Sequence, residues 1–262
     1  MPSTIPLNAR FRQLITQHLP AHVQLRESSL KGRGLYYNGE KCATGTELIR
    51  PIPPLAHYSP GRGVISSGKE KYDALIAQLV VQKAIEEIKG EEPPRVAIIL
   101  AHLAFPQLPP AQTQSAEEQR RVEEGISEVK RLVGASTSEF ELVDLDREEF
   151  LRYWGVLYLN AIRGPSDGSL SLFSHISMIN HACAPSVGLR FEPNGAAAVV
   201  ALRELSEGEE LTIDYVEQGA IDNVWTAAQR QRYLKHNYGI TCTFGKDCAC
   251  KKPAVLFGIK ME

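Results

Sequence analysis

Apolar positions recur along this chain with two different periods, and the change of period divides it. Phe11, Leu14, Ile15 and Leu19 stand at helical spacing and stop at Pro20, which predicts a short amphipathic helix. Val23 to Arg26, Gly34 to Tyr37 and Thr46 to Arg50 are brief β-prone runs, the first two flanking Lys31-Gly32-Arg33-Gly34. The prolines and glycines from Pro51 to Gly63 predict an irregular connection. The spacing then becomes helical through Tyr72, Leu75, Ile76, Leu79, Val80, Ile85 and Ile88, with Gly90 as the stop. After Pro93-Pro94, the run from Val96 to Phe105 reads as a shorter, buried helix. Ser115 with Glu118, and Asp146 with Glu149, are start signals for two more helices. These carry the stripes Val122, Ile126, Val129, Val133 and Phe150, Trp154, Leu157, Tyr158, the second ending near 160–164. Residues from about 66 to 145 are therefore a helical insertion between two strand-rich parts.

Beyond the insertion, an apolar run from Leu172 to Ile179 leads into Asn180-His181-Ala182-Cys183-Ala184-Pro185-Ser186. Val187 to Phe191 and Ala197 to Ala201 pair as a hairpin across Pro193-Asn194-Gly195. Leu211 to Tyr215 is a further strand, and Trp225 to His236 a helix leading through Tyr238-Gly239 to a cysteine cluster. The stretch from Asn180 is placed between sheet elements, so its polar side chains need hydrogen-bond partners. Taken alone it reads as a structural turn.

Composition narrows the function. With 43% hydrophobic and 23% charged residues the chain is an ordinary globular protein, and a net charge of −2 argues against nucleic-acid binding while admitting a basic peptide. No apolar run approaches the roughly 18 residues of a membrane span, and Met1 to Leu7 has no signal-peptide pattern. The expectation is no membrane and an intracellular protein of nucleus or cytoplasm. Five cysteines do not make a disulfide scaffold, and the clustering of Cys242, Cys248 and Cys250 points to metal or thiol chemistry.

Lys31-Gly32-Arg33-Gly34-Leu35, then Asn180 to Pro185, then Gly208-Glu209-Glu210-Leu211-Thr212-Ile213-Asp214-Tyr215, then the terminal cysteines, occur in a fixed order. That ordered set resembles the SET-domain protein lysine methyltransferases, over roughly 23–65 and 145–250. The long insertion and the approach Tyr238-Gly239-Ile240-Thr241-Cys242 are most similar to the SET-and-MYND group. The MYND finger expected in the insertion is missing, since no cysteine lies between Cys42 and Cys183, and the expectation is that the C-terminal helical repeats of that group are lacking too.

The resemblance implies an α+β, β-clip fold of small sheets around a pseudoknot in which the Asn180 and Leu211 segments cross. It implies an N-terminal helix at 1–22, a split SET domain at 23–215 and a post-SET region at 216–262. S-adenosylmethionine is the implied methyl donor, approached by Gly32, Arg33 and Gly34, by Asn180 and His181, and by Asn160 and Ser177. Tyr215 is the implied catalytic residue, with Tyr238 walling the lysine channel. Cys183 with Cys242, Cys248 and Cys250 is the implied structural zinc (Zn2+) site, although the spacing of the last three departs from the usual close pair. The implied partner is a protein with an exposed lysine, a histone tail or another protein. Ile213 stands where the family often carries Phe or Tyr, which implies that higher methylation states fit. Ser186 stands where the family usually has Asn; a weakened turn and weaker donor binding are the expectation. The alternative is an inactive SET module that binds a partner peptide.

Overall fold

A computed structural model describes residues 9–28, 32–60, 68–91, 93–103, 115–136, 145–164, 168–216 and 226–241. The chain divides into two units, one of Met1–Pro20, Arg50–Met178 and Phe191–Ala198, the other of Ala21–Ile49, Ile179–Arg190 and Val199–Glu262. No helix among the described residues is long and apolar enough to cross a membrane.

The first unit is mostly helical: α1 (Ala9–Thr16), α2 (Gly68–Ile88), α3 (Arg95–His102), α4 (Ala116–Ser136) and α5 (Arg147–Asn160). The caps form as the sequence predicts. Ser115 and Glu118 exchange side-chain-to-backbone bonds at the start of α4, and Asp146 accepts the Glu149 N–H at the start of α5. Helix α3 begins after Pro94 without a side-chain cap of its own, and the buried Glu86 on α2 supplies one by accepting the Val96 N–H at 2.8 Å. A carboxylate at a helix N-terminus satisfies an orphan donor and complements the helix dipole. Leu75, Ile76 and Leu79 on α2 are fully buried, as are Val156 and Leu157 on α5.

Two stripe positions do not follow the pattern: Ile88 is 75% exposed at the last turn of α2, and Tyr158 is 41% exposed, while Tyr153 and Val156 take the buried face of α5. The irregular connection after Pro51 contains β4 (Ala56–Tyr58), which joins β5 (Ile162–Arg163) and β6 (Leu170–Leu172) in a sheet of order β4-β6-β5. These strands of two or three residues are too short for a period to show in sequence.

In the second unit β1 (Val23–Ser28) pairs antiparallel with β2 (Gly32–Tyr37), Arg26 opposite Gly34 and Ser28 opposite Gly32. Gly32 and Gly34 thus belong to the strand itself; Gly32 opens it at φ 78°, a left-handed conformation that favours glycine. Strands β7 (Asn180–His181) and β10 (Thr212–Ile213) form a parallel pair, while β3 (Glu47–Ile52), β9 (Ala197–Ala201) and β8 (Val187–Phe191) form a sheet in the order β3-β9-β8. The strand expected from Leu211 to Tyr215 is shorter, and Tyr215 starts a helical turn beyond it. Helix α6 (Ala227–Tyr238) opens with a reciprocal Thr226–Gln229 capping box and closes at Gly239 in the left-handed region.

Candidate active site

The parallel pairing of β7 with β10 sets Thr212 beside Asn180 and Ile213 beside His181. Parallel strands so far apart in sequence are the expected crossing of the two segments. Ser186 ties it off. Its side chain is wholly buried; its Oγ accepts the Thr212 N–H at 2.8 Å and donates to the Glu210 carbonyl at 3.1 Å, and its own N–H donates to the Thr212 carbonyl at 3.1 Å. The expected weakening of the turn is therefore not seen: serine satisfies every donor that faces it.

Asn180 uses both hydrogens of its amide, one on the Arg33 carbonyl at 2.8 Å and one on Glu210 Oε1 at 2.7 Å. Two acceptors facing one atom fix which end of the amide is nitrogen. Gly34 lies against this bridge, where a Cβ would stand 2.8 Å from Asn180 Nδ2 and 2.8 Å from Glu210 Oε1. The second glycine is needed because the Asn180 side chain occupies the space a side chain would take. At Gly32 a Cβ would meet nothing within 4 Å among the described residues.

His181 joins the crossing to Tyr215. Its Nδ1 accepts the Tyr215 N–H at 3.2 Å and its Nε2 lies 3.4 Å from Cys183 Sγ. Nδ1 is thus the accepting nitrogen of the ring, and Asp214 Oδ1 lies 3.8 Å from it. The Tyr215 hydroxyl donates to the Ile179 carbonyl at 2.8 Å, and its ring lies 5.4 Å from that of His181 and 4.7 Å from that of Tyr238. Burial pushes the Tyr215 phenol well above its ordinary pKa, the Glu210 carboxylate adds to this, and the Arg33 guanidinium opposes it. Burial lowers the pKa of Arg33 in turn. Tyr215 is thus a neutral phenol at physiological pH.

The structure brings together Gly32, Arg33, Gly34, Asn180, His181, Cys183, Tyr215 and Tyr238 in the second unit. Asn160 and Ser177 belong to the first, where Asn160 Nδ2 donates to the Val156 carbonyl and Ser177 Oγ to the Phe173 carbonyl. Cys242, Cys248 and Cys250 lie outside the described residues, so of the expected thiolate set only the half-buried Cys183 is described. Among the described residues no group of three or more histidines, cysteines or carboxylates could hold a metal.

Three contributors escape a sequence reading. Glu210, which in sequence is only one member of the motif before Tyr215, receives Asn180; its neighbour Glu209 is paired with Arg203. Asp214 and Arg230 form an ion pair sixteen residues apart, with side chains 10% and 11% exposed. Adjacency to Tyr215 was the available signal for Asp214; nothing in the sequence marks Arg230.

The chain is similar to several known proteins. Histone-lysine N-methyltransferase SET5 of Eremothecium gossypii is 33% identical over 99 residues, covering 38% of this chain and 18% of that protein. ASHR1 of Arabidopsis thaliana, also a histone-lysine N-methyltransferase, is 33% identical over 35% of this chain and 19% of its own length. Human SMYD1, of the same description, is 28% identical over 44% of this chain and 29% of its own. The chain thus spans less than a third of the length of each of these relatives. Among solved structures, the SET domain of LSMT bound to lysine and AdoHcy superposes with a TM-score of 0.54 at 13% identity, over 89% of this chain and 56% of that one. Rubisco LSMT bound to AdoMet gives 0.53 at 14% identity, over 89% and 55%. At such identity the likeness is one of fold. The family model described as SET domain matches residues 61–216, more than half of the chain, and ends one residue past the tyrosine held between His181 and Tyr238; the chain belongs to the SET-domain family.

Proposed function

We propose that the chain is an S-adenosylmethionine-dependent protein-lysine N-methyltransferase acting on a histone tail or another protein lysine. The observation that carries the proposal is the Tyr215 phenol, anchored by Ile179, seated on His181 and flanked by the Tyr238 ring beside the strand crossing. In the reaction the lysine amine attacks the sulfonium methyl of the donor: a C–N bond forms, the C–S bond breaks and the sulfonium becomes a neutral thioether. The amine must be neutral, whereas a free lysine has a pKa of about 10.4. A desolvated channel and the nearby sulfonium both disfavour the ammonium, and its proton leaves to water. Tyr215 is not the base, because burial keeps its phenol neutral and its hydroxyl already donates to Ile179. Its role, with Tyr238, is to hold the amine in line; such orientation is worth several kcal/mol.

Gly32, Arg33 and Gly34 are assigned to the donor through their backbone, supported by the space beside Gly32 among the described residues. Asn180 has Oδ1 left for the donor, its Nδ2 being taken by Arg33 and Glu210. His181 completes the proposed donor set of the second unit. Cys183, Cys242, Cys248 and Cys250 form the proposed zinc site, whose thiolate chemistry suits a structural tetrahedral ion. Ile213 has no hydroxyl to hold a water beside the amine, so di- and trimethyl products are expected; a purely monomethyl product at completion refutes this. Ser186, which motivated the inactive-module alternative, is fully bonded, and donor binding now decides between the two. Calorimetry should show binding by the wild type and by Tyr215→Phe, with methylation of lysine peptides reduced about a hundredfold in the variant. A wild type that binds no donor overturns the proposal.

A further inference from the structure

The Asp214 carboxylate has three neighbours, one of them His181 Nδ1 at 3.8 Å from Oδ1. Its Oδ1 accepts the Val216 N–H at 2.9 Å, which holds the turn carrying Tyr215, and its Oδ2 accepts from Arg230 Nη2 on the first turn of α6. Arg230 Nε is buried with no acceptor among the described residues. One carboxylate oxygen therefore offsets only part of the lost hydration of this guanidinium, and a buried pair of this kind is weak evidence of stabilisation. Its geometric consequence is clearer. Arg230, Leu234 and Tyr238 are spaced by four, so they lie along one face of α6. Leu234 is fully buried between the ion pair at one end of this face and the Tyr215–Tyr238 contact at the other. Two adjacent residues, Asp214 and Tyr215, thus hold the helix at points about 12 Å apart along its axis. A helix held at one point can pivot; held at two, its direction is fixed as well.

We propose that the Asp214–Arg230 pair is a positioning clamp that fixes α6 and thereby sets how the Tyr238 ring lies against the Tyr215 ring, beside which the target side chain is presented. It rests on the reading of these two rings as the lysine channel. Neither charged residue is assigned to the donor or to the amine.

The full chain should be compared with Arg230→Ala, Asp214→Asn, their combination and Arg230→Lys. The clamp predicts a fall in kcat for a lysine peptide of about tenfold or more in each of the first two, because small misplacements of oriented groups are costly. Donor affinity should stay within about twofold, the double variant should be no worse than the worse single one, and Arg230→Lys should recover most of the loss. Hydrogen exchange in α6 should quicken in Arg230→Ala while β8 and β9 amides are unchanged. Should Arg230→Ala not fold, Asp214→Asn, which keeps an acceptor for Val216, is read in the same way. Unchanged kcat, additive losses in the double variant, or α6 exchange at the wild-type rate would overturn the clamp. If the wild type proves to have no methyltransferase activity, the proposed function fails, and the exchange measurement alone still decides whether Arg230 holds the helix.

Discussion

Replacing Ser186 by alanine tests the strand crossing at its narrowest point. The serine hydroxyl is wholly buried, accepts the Thr212 N–H at 2.8 Å and donates to the Glu210 carbonyl at 3.1 Å. Alanine removes the acceptor and leaves the Thr212 N–H without it in a place water does not reach. Leaving a buried donor unpaired costs about 1–3 kcal/mol, and the lost bond to Glu210 adds about 1 kcal/mol. The sum, about 2–4 kcal/mol, corresponds to a fall in Tm of about 5–12 °C for a protein of this size. Circular dichroism during heating, with urea titration as a check, reads it directly. Ser186→Asn, which restores the residue more usual in the family, should also destabilise, by about 1–3 kcal/mol, because a larger side chain must enter a filled site. If Ser186→Ala melts within about 1 °C of the wild type, the hydroxyl is not the bridge and the accounting of this crossing is wrong.

Gly34→Ala should displace Asn180 from Arg33 and Glu210, since the new Cβ would stand 2.8 Å from both side chains, and should weaken donor binding by about tenfold in calorimetry. Two buried groups of the first unit oppose each other in acid. His175, bonded through Nε2 to the Ile15 carbonyl, has its pKa lowered by burial to about 4, so its contribution is full above about pH 6.5 and is lost as pH falls toward 4. Asp73, 3% exposed, has its pKa raised by burial to about 6, so stability is greatest below about pH 3.8 and falls as pH rises through 6. Asp73→Asn should accordingly stabilise at pH 7.5, by about 2 kcal/mol, and do little near pH 3.5; an equal effect at both values refutes the assignment. Metal analysis of the full chain should find about one zinc per molecule, lost together with activity on chelation or in Cys183→Ser.

Much of this protein is legible before any coordinates. Helix starts at Ser115 and Asp146 depend on residues three apart, and such local pairs form wherever the chain lies. The order of the glycine pair, the Asn180 segment and Tyr215 carried the resemblance to the family that the SET match over residues 61–216 bears out. The crossing of Asn180 with Thr212 came from that resemblance; the residues alone do not encode which strands of two residues will pair.

Tertiary structure decided what depends on neighbours distant in sequence. Ser186 reads as a defect until Thr212 and Glu210 are seen to satisfy it. Glu210 gains its role only when Asn180 is placed on it, and Ile88 and Tyr158 continue their stripes in sequence although both remain exposed on folding. Arg230 lies on a polar helix, and its pairing with Asp214 shows only in the folded chain. Periodicity and capping are properties of adjacent residues, and the sequence by itself determined those. Whether a polar group is satisfied, and which ring stands against Tyr215, depends on segments joined only by the folded backbone, and the tertiary structure alone decided them.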